Sequence, residues 1–452
     1  MYNKNVEELE RKAKEPARIA NAWHSFFKGK IEVMPKCSIT DYQNFSVWYT
    51  PGVAEPCKEI AKDPEKVYEY TNKWNNVAVV SDGSRVLGLG NIGPLAGLPV
   101  MEGKSLLFKY LGGVDAFPIM LNTQDTEEII KAVKIVAPTF GGINLEDIST
   151  PKCFTILDRL RAELDIPVWH DDQQGTAAVE LAALINALKF TNRKIKTATI
   201  TIIGAGAANI ALTRILLKFG VNPKNLILVD SKGILNSHRK DLEDDAKENP
   251  YKWEYAQITN GEDRSGDMAE AIRDIDVMIA ASKSGPNVIK KEWIAKMNNK
   301  SIVFAVANPV PEIWPWEAKE GGAMIIGTGR SDFPNQVNNS LGFPGIFRGT
   351  LDVRAKTITD EMAIAASIAI AAVADEEGLR EDYIVPTMAN PYVFAREATA
   401  VAEKAMEQGV ARITRSYDEL FNSASLNIES AKIKVKCFLD GKCVKKVENY
   451  IK

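Results

Sequence analysis

Two pairs of adjacent carboxylates, Glu146-Asp147 and Asp171-Asp172, precede a glycine turn, Gly204-Ala205-Gly206. They lie in the segments GGINLEDIS and WHDDQQGTA, each pair following a short apolar run and leading into a polar turn. Carboxylate oxygens with no Cys or His cluster beside them suit a hard cation, Mg2+ or Mn2+, rather than Zn2+. Taken singly, each pair also reads as a helix cap or a loop acid. Two pairs on either side of one predicted helix, close to a phosphate loop, favour the metal reading.

The glycine turn needs a strand before it and a helix after it. Thr197 to Ile203 is β-branched and apolar enough for a buried parallel strand. Gly204-Ala205-Gly206-Ala207-Ala208-Asn209 follows at once, and Ile210 to Phe219 has helical spacing that stops at Gly220. Asn225 to Val229 reads as the next strand and ends on Asp230. This order is that of a dinucleotide fold, in which the first two glycines allow a tight turn and the helix N-terminus favours the pyrophosphate. Asn209 stands where a small residue is usual, which predicts slightly looser helix–strand packing. A glycine turn that merely packs a sheet is the competing reading.

Length and composition restrict what can surround these motifs. A chain of 452 residues, 45% hydrophobic and 25% charged, has room for two domains and ample core. A net charge of −3 argues against a dedicated nucleic-acid or membrane surface. The start, MYNKNVEELERKAKE, reads as a charged amphipathic helix, not a signal peptide, so a cytoplasmic protein is expected. Five scattered cysteines read as reduced thiols. Only His24, His170 and His238 occur, so proton transfer falls mainly to Lys, Tyr or carboxylates. His170 abuts the Asp pair, and a structural role is preferred to a ligand role.

Alternating strands and helices predict an α/β fold with a parallel sheet. A strand is expected at Val77–Val80, alternating strands and helices through Ile119, Ile129–Ile135, Cys153–Leu164 and Ile166–His170, and further βαβ units at Val277–Ala281, Ser301–Val306 and Ala323–Gly327. Helices are expected at Ala177–Phe190, Thr359–Glu377 and Val393–Gln408. Pro51-Gly52 forces a turn, and Gly88-Leu-Gly90-Asn-Ile-Gly93 reads as a loop of close backbone approach, not a second nucleotide site. Lys432 to Leu439, Asp440-Gly441 and Lys442 to Tyr450 read as a Lys-rich β-hairpin with an Asp-Gly turn.

The motifs YTPGVAEPC, VVSDGSRVLGLGNIGPLAGLPVMEGK, FGGINLEDI, IPVWHDDQQGTA, ANPVPEI and GTGRSDFPNQVNNSLGFPGIFRG together resemble the short prokaryotic-type malic enzymes. The likeness runs in unbroken order from about residue 20 to 400. It implies oxidative decarboxylation of L-malate to pyruvate and CO2, with NAD+ or NADP+ reduced, and a homodimer with the Tyr49 region shared between subunits. By motif position Glu146, Asp147 and Asp172 resemble the metal ligands, Lys104 the general base, Tyr49 the general acid and Asp171 the partner of the lysine. Arg85, Asn308 and Asn339 resemble contacts to malate. Gly204 to Asn209, Asp230, Ser231, Lys232 and Asn308 resemble the cofactor site. Residues 1–172 are expected to form the substrate and metal domain, 173–337 the Rossmann-type domain, and 338–452 C-terminal helices and tail, part of which returns to the first domain.

The chemistry needs these residue types. Hydride loss from C2 requires the hydroxyl proton to leave, and a lysine accepts it only when neutral. Burial and a nearby cation favour the neutral amine, whereas Asp171 opposes it. A metal at the C2 oxygen polarises the ketone as CO2 departs, and a phenol can protonate the enolate at C3. Malolactic conversion with bound NAD, or a catalytically silent nucleotide sensor, are the alternatives. Asp230 alone points to NAD+, since it would repel a 2′-phosphate. Asp230-Ser231-Lys232 nonetheless resembles NADP+-using relatives, and the preference is NADP+.

Overall fold

The computed structural model describes residues 6–444 and contains two parallel sheets wrapped by helices. The first has the order β2-β1-β3-β4, built from β1 (Asn76–Ser81), β2 (Asp115–Met120), β3 (Gly142–Leu145) and β4 (Val168–His170). The second has the order β10-β9-β8-β5-β6-β7. Its strands are β5 (Ile200–Ile203), β6 (Leu226–Asp230), β7 (Gly233–Ile234), β8 (Val277–Ala280), β9 (Ile302–Ala305) and β10 (Ile325–Thr328). Only the short β7 runs antiparallel. Helices on both faces explain why Val77–Val80 and Ile200–Ile203 are continuous apolar runs rather than alternating ones: nearly every side chain is buried.

The Gly93–Gly112 helix carries Lys104 and stops at Gly113, which takes a left-handed φ of 66°. Phe108 from this helix packs against Phe343 and Phe347 of the Phe343–Asp352 helix, at ring-centroid distances of 4.6 and 5.2 Å. Backbones also meet there, since a Cβ on Gly112 would stand 2.7 Å from the Pro344 carbonyl oxygen. Further on, the Asp360–Glu376 helix lies on the Thr176–Phe190 helix, where Ser367 Oγ donates to Ala178 O (2.7 Å) and Asn186 Nδ2 donates to Ala371 O (2.8 Å). The chain after residue 338 thus braces both the helix that carries Lys104 and the helix that follows the second acid pair. Among the described residues, no helix is long and apolar enough to cross a membrane.

One expectation changes. Lys432–Leu439 is not a strand but the end of one helix, Tyr417–Asp440. Ser416 and Glu419 form a capping box at its start. Leu420, Ala424, Ile428 and Ala431 then bury a stripe at helical spacing, while Ile433 and Val435 stay exposed. Asp440-Gly441 ends that helix instead of turning a hairpin. Residues 445–450, the rest of the expected hairpin, lie outside the described residues. At Asn209, where slightly looser helix–strand packing was expected, the side chain bridges the turn. It is fully buried and its Nδ2 donates to Ile203 O (2.9 Å) and Gly204 O (2.8 Å), replacing close contact with hydrogen bonds.

Phe108→Ala should destabilise the protein by about 3–5 kcal/mol, as expected for an aromatic deleted from a closed core. The urea midpoint reads this, and a shift worth less than about 0.5 kcal/mol would mean that the Phe108 contacts do not hold the two helices together.

Candidate active site

A cleft of about 1250 Å3 runs between the carboxyl ends of the two sheets. Lys104 lies at one end, 7% exposed, with its Nζ 2.5 Å from Asp171 Oδ2 and 2.9 Å from Glu146 Oε1. The ammonium also stands 4.3 Å from the centroid of the Phe343 ring. Burial alone would favour the neutral amine, but the Asp171 and Glu146 charges outweigh it and raise the Lys104 pKa. Both acids have a second oxygen engaged from their own strand. Asn144 Nδ2 donates to Glu146 Oε2 (2.9 Å), and Trp169 Nε1 donates to Asp171 Oδ1 (3.0 Å).

The chain leaves β4 through a single π-helical turn, Asp171–Gly175, before the Thr176–Phe190 helix. That wide turn lets the Asp171 side chain fold over Gly175, where a Cβ would stand 1.8 Å from Asp171 Oδ1. Asp147 adopts a left-handed φ of 53°, which aspartate tolerates better than most residues. Its carbonyl accepts from Arg85 N (3.0 Å), its amide donates to Asp172 Oδ2 (2.7 Å), and its Oδ2 is buried with no partner. Burial, and then the Asp172 charge, push the Asp147 pKa up to about 8.

Three clustered carboxylates and an unpartnered buried oxygen are a donor set suited to a hard divalent cation. Among the described residues no three acid, His or Cys side chains converge on one point as they stand, because Asp172 caps the Asp147 amide and Glu146 is tied to Lys104. His170 is fully buried with neither ring nitrogen hydrogen-bonded; its Nδ1 is 3.7 Å from Asp172 Oδ2.

At the other end, Gly204 takes a φ of 101° and its missing Cβ would stand 2.6 Å from Ala281 O. A Cβ on Gly206 would meet nothing within 4 Å, so the turn is open toward the cleft at the start of the Ala207–Phe219 helix. Glu312 ties two cleft-lining loops together by accepting from Ser282 N (2.7 Å), Ser282 Oγ (3.0 Å) and Ala307 N (3.1 Å). Asp230 is held by both terminal nitrogens of Arg239, at 2.8 and 3.2 Å.

Arg85, Lys104, Glu146, Asp147, Asp172, Asn308 and Asn339 line the cleft together with Gly204, Gly206, Ala207, Ala208, Asp230, Ser231 and Lys232. Asp171 stands behind Lys104, and Ala205 and Asn209 lie behind the turn; none of the three is in the lining. Tyr49 is also absent from it and is 71% exposed. Sequence reasoning did not anticipate Asn144, Trp169 or Glu312. The available signal was position: the first two stand two residues before an acid that follows a strand, and the third ends the ANPVPE motif.

A glycine turn opening a helix at one end of a cleft and a buried lysine held by carboxylates at the other form a layout that suits a dinucleotide-dependent dehydrogenase. Known proteins narrow that class. Residues 28–161 match the family described as malic enzyme, N-terminal domain, and residues 173–406 match malic enzyme, NAD binding domain. A bifunctional malic/malolactic enzyme of Bacillus subtilis is 50% identical over 88% of this chain and 95% of its own length. An NAD-dependent malic enzyme of Geobacillus stearothermophilus is 54% identical over 85% of this chain and 78% of its own. The crystal structure of the Entamoeba histolytica malic enzyme superposes with a TM-score of 0.95 at 46% identity, covering 98% of this chain and 92% of that one. The chain belongs to the malic enzyme family. It is an enzyme that oxidises and decarboxylates L-malate to pyruvate and CO2 while reducing a nicotinamide dinucleotide.

Gly175→Ala should displace Asp171 and lower kcat on the order of 100-fold, the usual scale for a misplacement of about 1 Å near the chemistry. Dinucleotide affinity, followed by fluorescence titration, should stay within about twofold. A variant with normal kcat would show that the Asp171 position is not needed.

Proposed function

We propose that Lys104 is the base that takes the C2-hydroxyl proton of malate, with Asp171 holding it and Glu146, Asp147 and Asp172 as the ligands of Mg2+ or Mn2+. The observation that carries this reading is the buried contact of Lys104 with Asp171 and Glu146, facing an acid cluster and a phosphate turn across one cleft. The bound cation supplies polarisation of the C2 oxygen and offsets the carboxylate charges that keep Lys104 protonated. Arg85, which lines the cleft, offers a fork for a substrate carboxylate, and Asn308 and Asn339 offer amides to orient it. The division at about residue 172, with the segment after 338 returning to the first unit, is part of the same reading.

Tyr49 supplies the proton to C3, and it does so in the partner subunit's cleft. Two features support this. Tyr49 is outside the cleft of its own chain, and it sits among exposed apolar residues: Tyr42 is 88% exposed, Val47 64% and Trp48 52%. An apolar patch of this kind on a folded chain marks an interface, and a homodimer covers it. Mixing Lys104→Ala chains with Tyr49→Phe chains should therefore restore activity, since one site of each mixed dimer carries both wild-type groups. Malate turnover after co-refolding is the measurement, and no recovery above the two parents would exclude sharing.

NADP+ is the preferred cofactor. Arg239 compensates the Asp230 charge and Lys252 Nζ lies 3.5 Å from it, which reduces repulsion of a 2′-phosphate. Burial on its own would raise the Asp230 pKa, and the Arg239 fork holds it below the ordinary value. The exposed Lys232 Nζ makes a surface ion pair with Asp241 at 3.0 Å, a contact weak enough to be exchanged for a phosphate. Given the bifunctional relative, malolactic conversion is the second reading, and release of free NAD(P)H separates it from the first. Lys232→Ala should lower kcat/KM for NADP+ relative to NAD+ about tenfold or more, the scale of one charge-assisted contact. An unchanged ratio would remove Lys232 from cofactor choice.

A further inference from the structure

We propose that Asn144 and Trp169 are a matched pair of positioning residues that aim the two carboxylates at Lys104. The inference rests on Lys104 being the base. β3 and β4 are neighbouring parallel strands, and Asn144 and Trp169 are register partners across them. Two places beyond each of them, just past the end of its strand, stands an acid, Glu146 or Asp171, and the hydrogen bonds put donor and acid on the same side.

Each donor takes one oxygen and leaves the other for the lysine. Asn144 Nδ2 holds Glu146 Oε2 at 2.9 Å, and Glu146 Oε1 faces Lys104 Nζ at 2.9 Å. Trp169 Nε1 holds Asp171 Oδ1 at 3.0 Å, and Asp171 Oδ2 faces Lys104 Nζ at 2.5 Å. Asn144, Trp169 and Asp171 are fully buried, and Glu146 is 3% exposed. With no solvent to substitute for either donor, each carboxylate rotamer depends on the hydrogen bond from its own strand. Gly175 adds a limit on the other side of Asp171, because any side chain there would occupy the space of Oδ1. The same i to i+2 device therefore occurs twice, side by side, and both copies converge on one ammonium.

Trp169→Phe and Asn144→Leu in the full-length enzyme remove the donors while retaining most of the volume. Each should lower kcat on the order of 10- to 100-fold, the scale of a lost hydrogen bond to a charged group. The primary isotope effect on kcat with L-[2-2H]malate should be at least as large as in the wild type, because the oxidation step is the one slowed. The dinucleotide dissociation constant should stay within about twofold, and the double variant should lose less than the product of the single losses, since both act through Lys104. If Trp169→Phe does not fold, 3-benzothienylalanine at position 169 keeps the bicyclic ring and lacks only the donor.

Wild-type kcat in the single variants would overturn the inference. So would a loss of kcat with a smaller isotope effect or weakened dinucleotide binding. Lys104→Ala, assayed with and without added ethylamine, separates the two levels. Loss of activity with rescue by the amine supports the base, and retained activity would overturn the base and this inference with it. A rescued Lys104→Ala beside wild-type Asn144→Leu and Trp169→Phe would overturn the positioning pair alone.

Discussion

A single buried ammonium organises the substrate end of the cleft. Lys104 is held by Asp171 and Glu146, two acids just past the ends of adjacent strands, and its helix is held in turn by the Phe108, Phe343 and Phe347 cluster. A buried charge is tolerated only when its partners are well placed, because loss of one partner leaves an uncompensated ion. This requirement runs outward through the fold. The register of β3 against β4 sets the spacing of the two acids, the π-turn at Asp171–Gly175 sets the rotation of one of them, and the segment after residue 338 fixes the lysine helix against both.

Much of this was legible in the sequence because it depends on local order. The strand–turn–helix–strand–acid run at 197–230 follows from backbone requirements that only certain residues meet, and the structure has strand, turn, helix and strand where the pattern places them. The acid pairs were visible for the same reason, as polar residues at the ends of apolar runs. What was not legible depends on partners distant in sequence or on competition between periods. Trp169 reads as core from its neighbours, and only the fold of the π-turn shows that its N–H has a carboxylate to hold. Lys432–Leu439 has strand-like alternation, yet the helix capped at Ser416 runs through it, since the stripe Leu420, Ala424, Ile428 and Ala431 is what packs. Size alone did not reveal that the Asn209 amide satisfies two carbonyls that a smaller residue would leave to other donors.

The dinucleotide end obeys a different balance. At Asp230 the question is not whether an acid is present but whether its charge is free. Arg239 occupies both carboxylate oxygens, and Lys252 stands nearby, so the strand-end acid no longer acts as an isolated negative charge. A residue rule drawn from the acid alone therefore leaves out the surrounding cations, which set the field at the end of that strand.

The acid cluster explains why such a site costs stability when it stands by itself. Glu146, Asp147 and Asp171 lie in a region where burial disfavours the charged form, and all three have raised pKa values. Packing that removed the repulsion, by spreading the acids or replacing one with an apolar residue, would favour the folded state and leave nothing to hold a cation. A ligand that binds the folded chain and not the unfolded one returns stability by mass action. In the proposed ligand set, the unpartnered Asp147 oxygen and the Asp172 carboxylate, which accepts from the Asp147 amide, are the groups through which that return would come. Under the proposed reading, repulsion among these acids and capacity for a hard cation are the same property of the site.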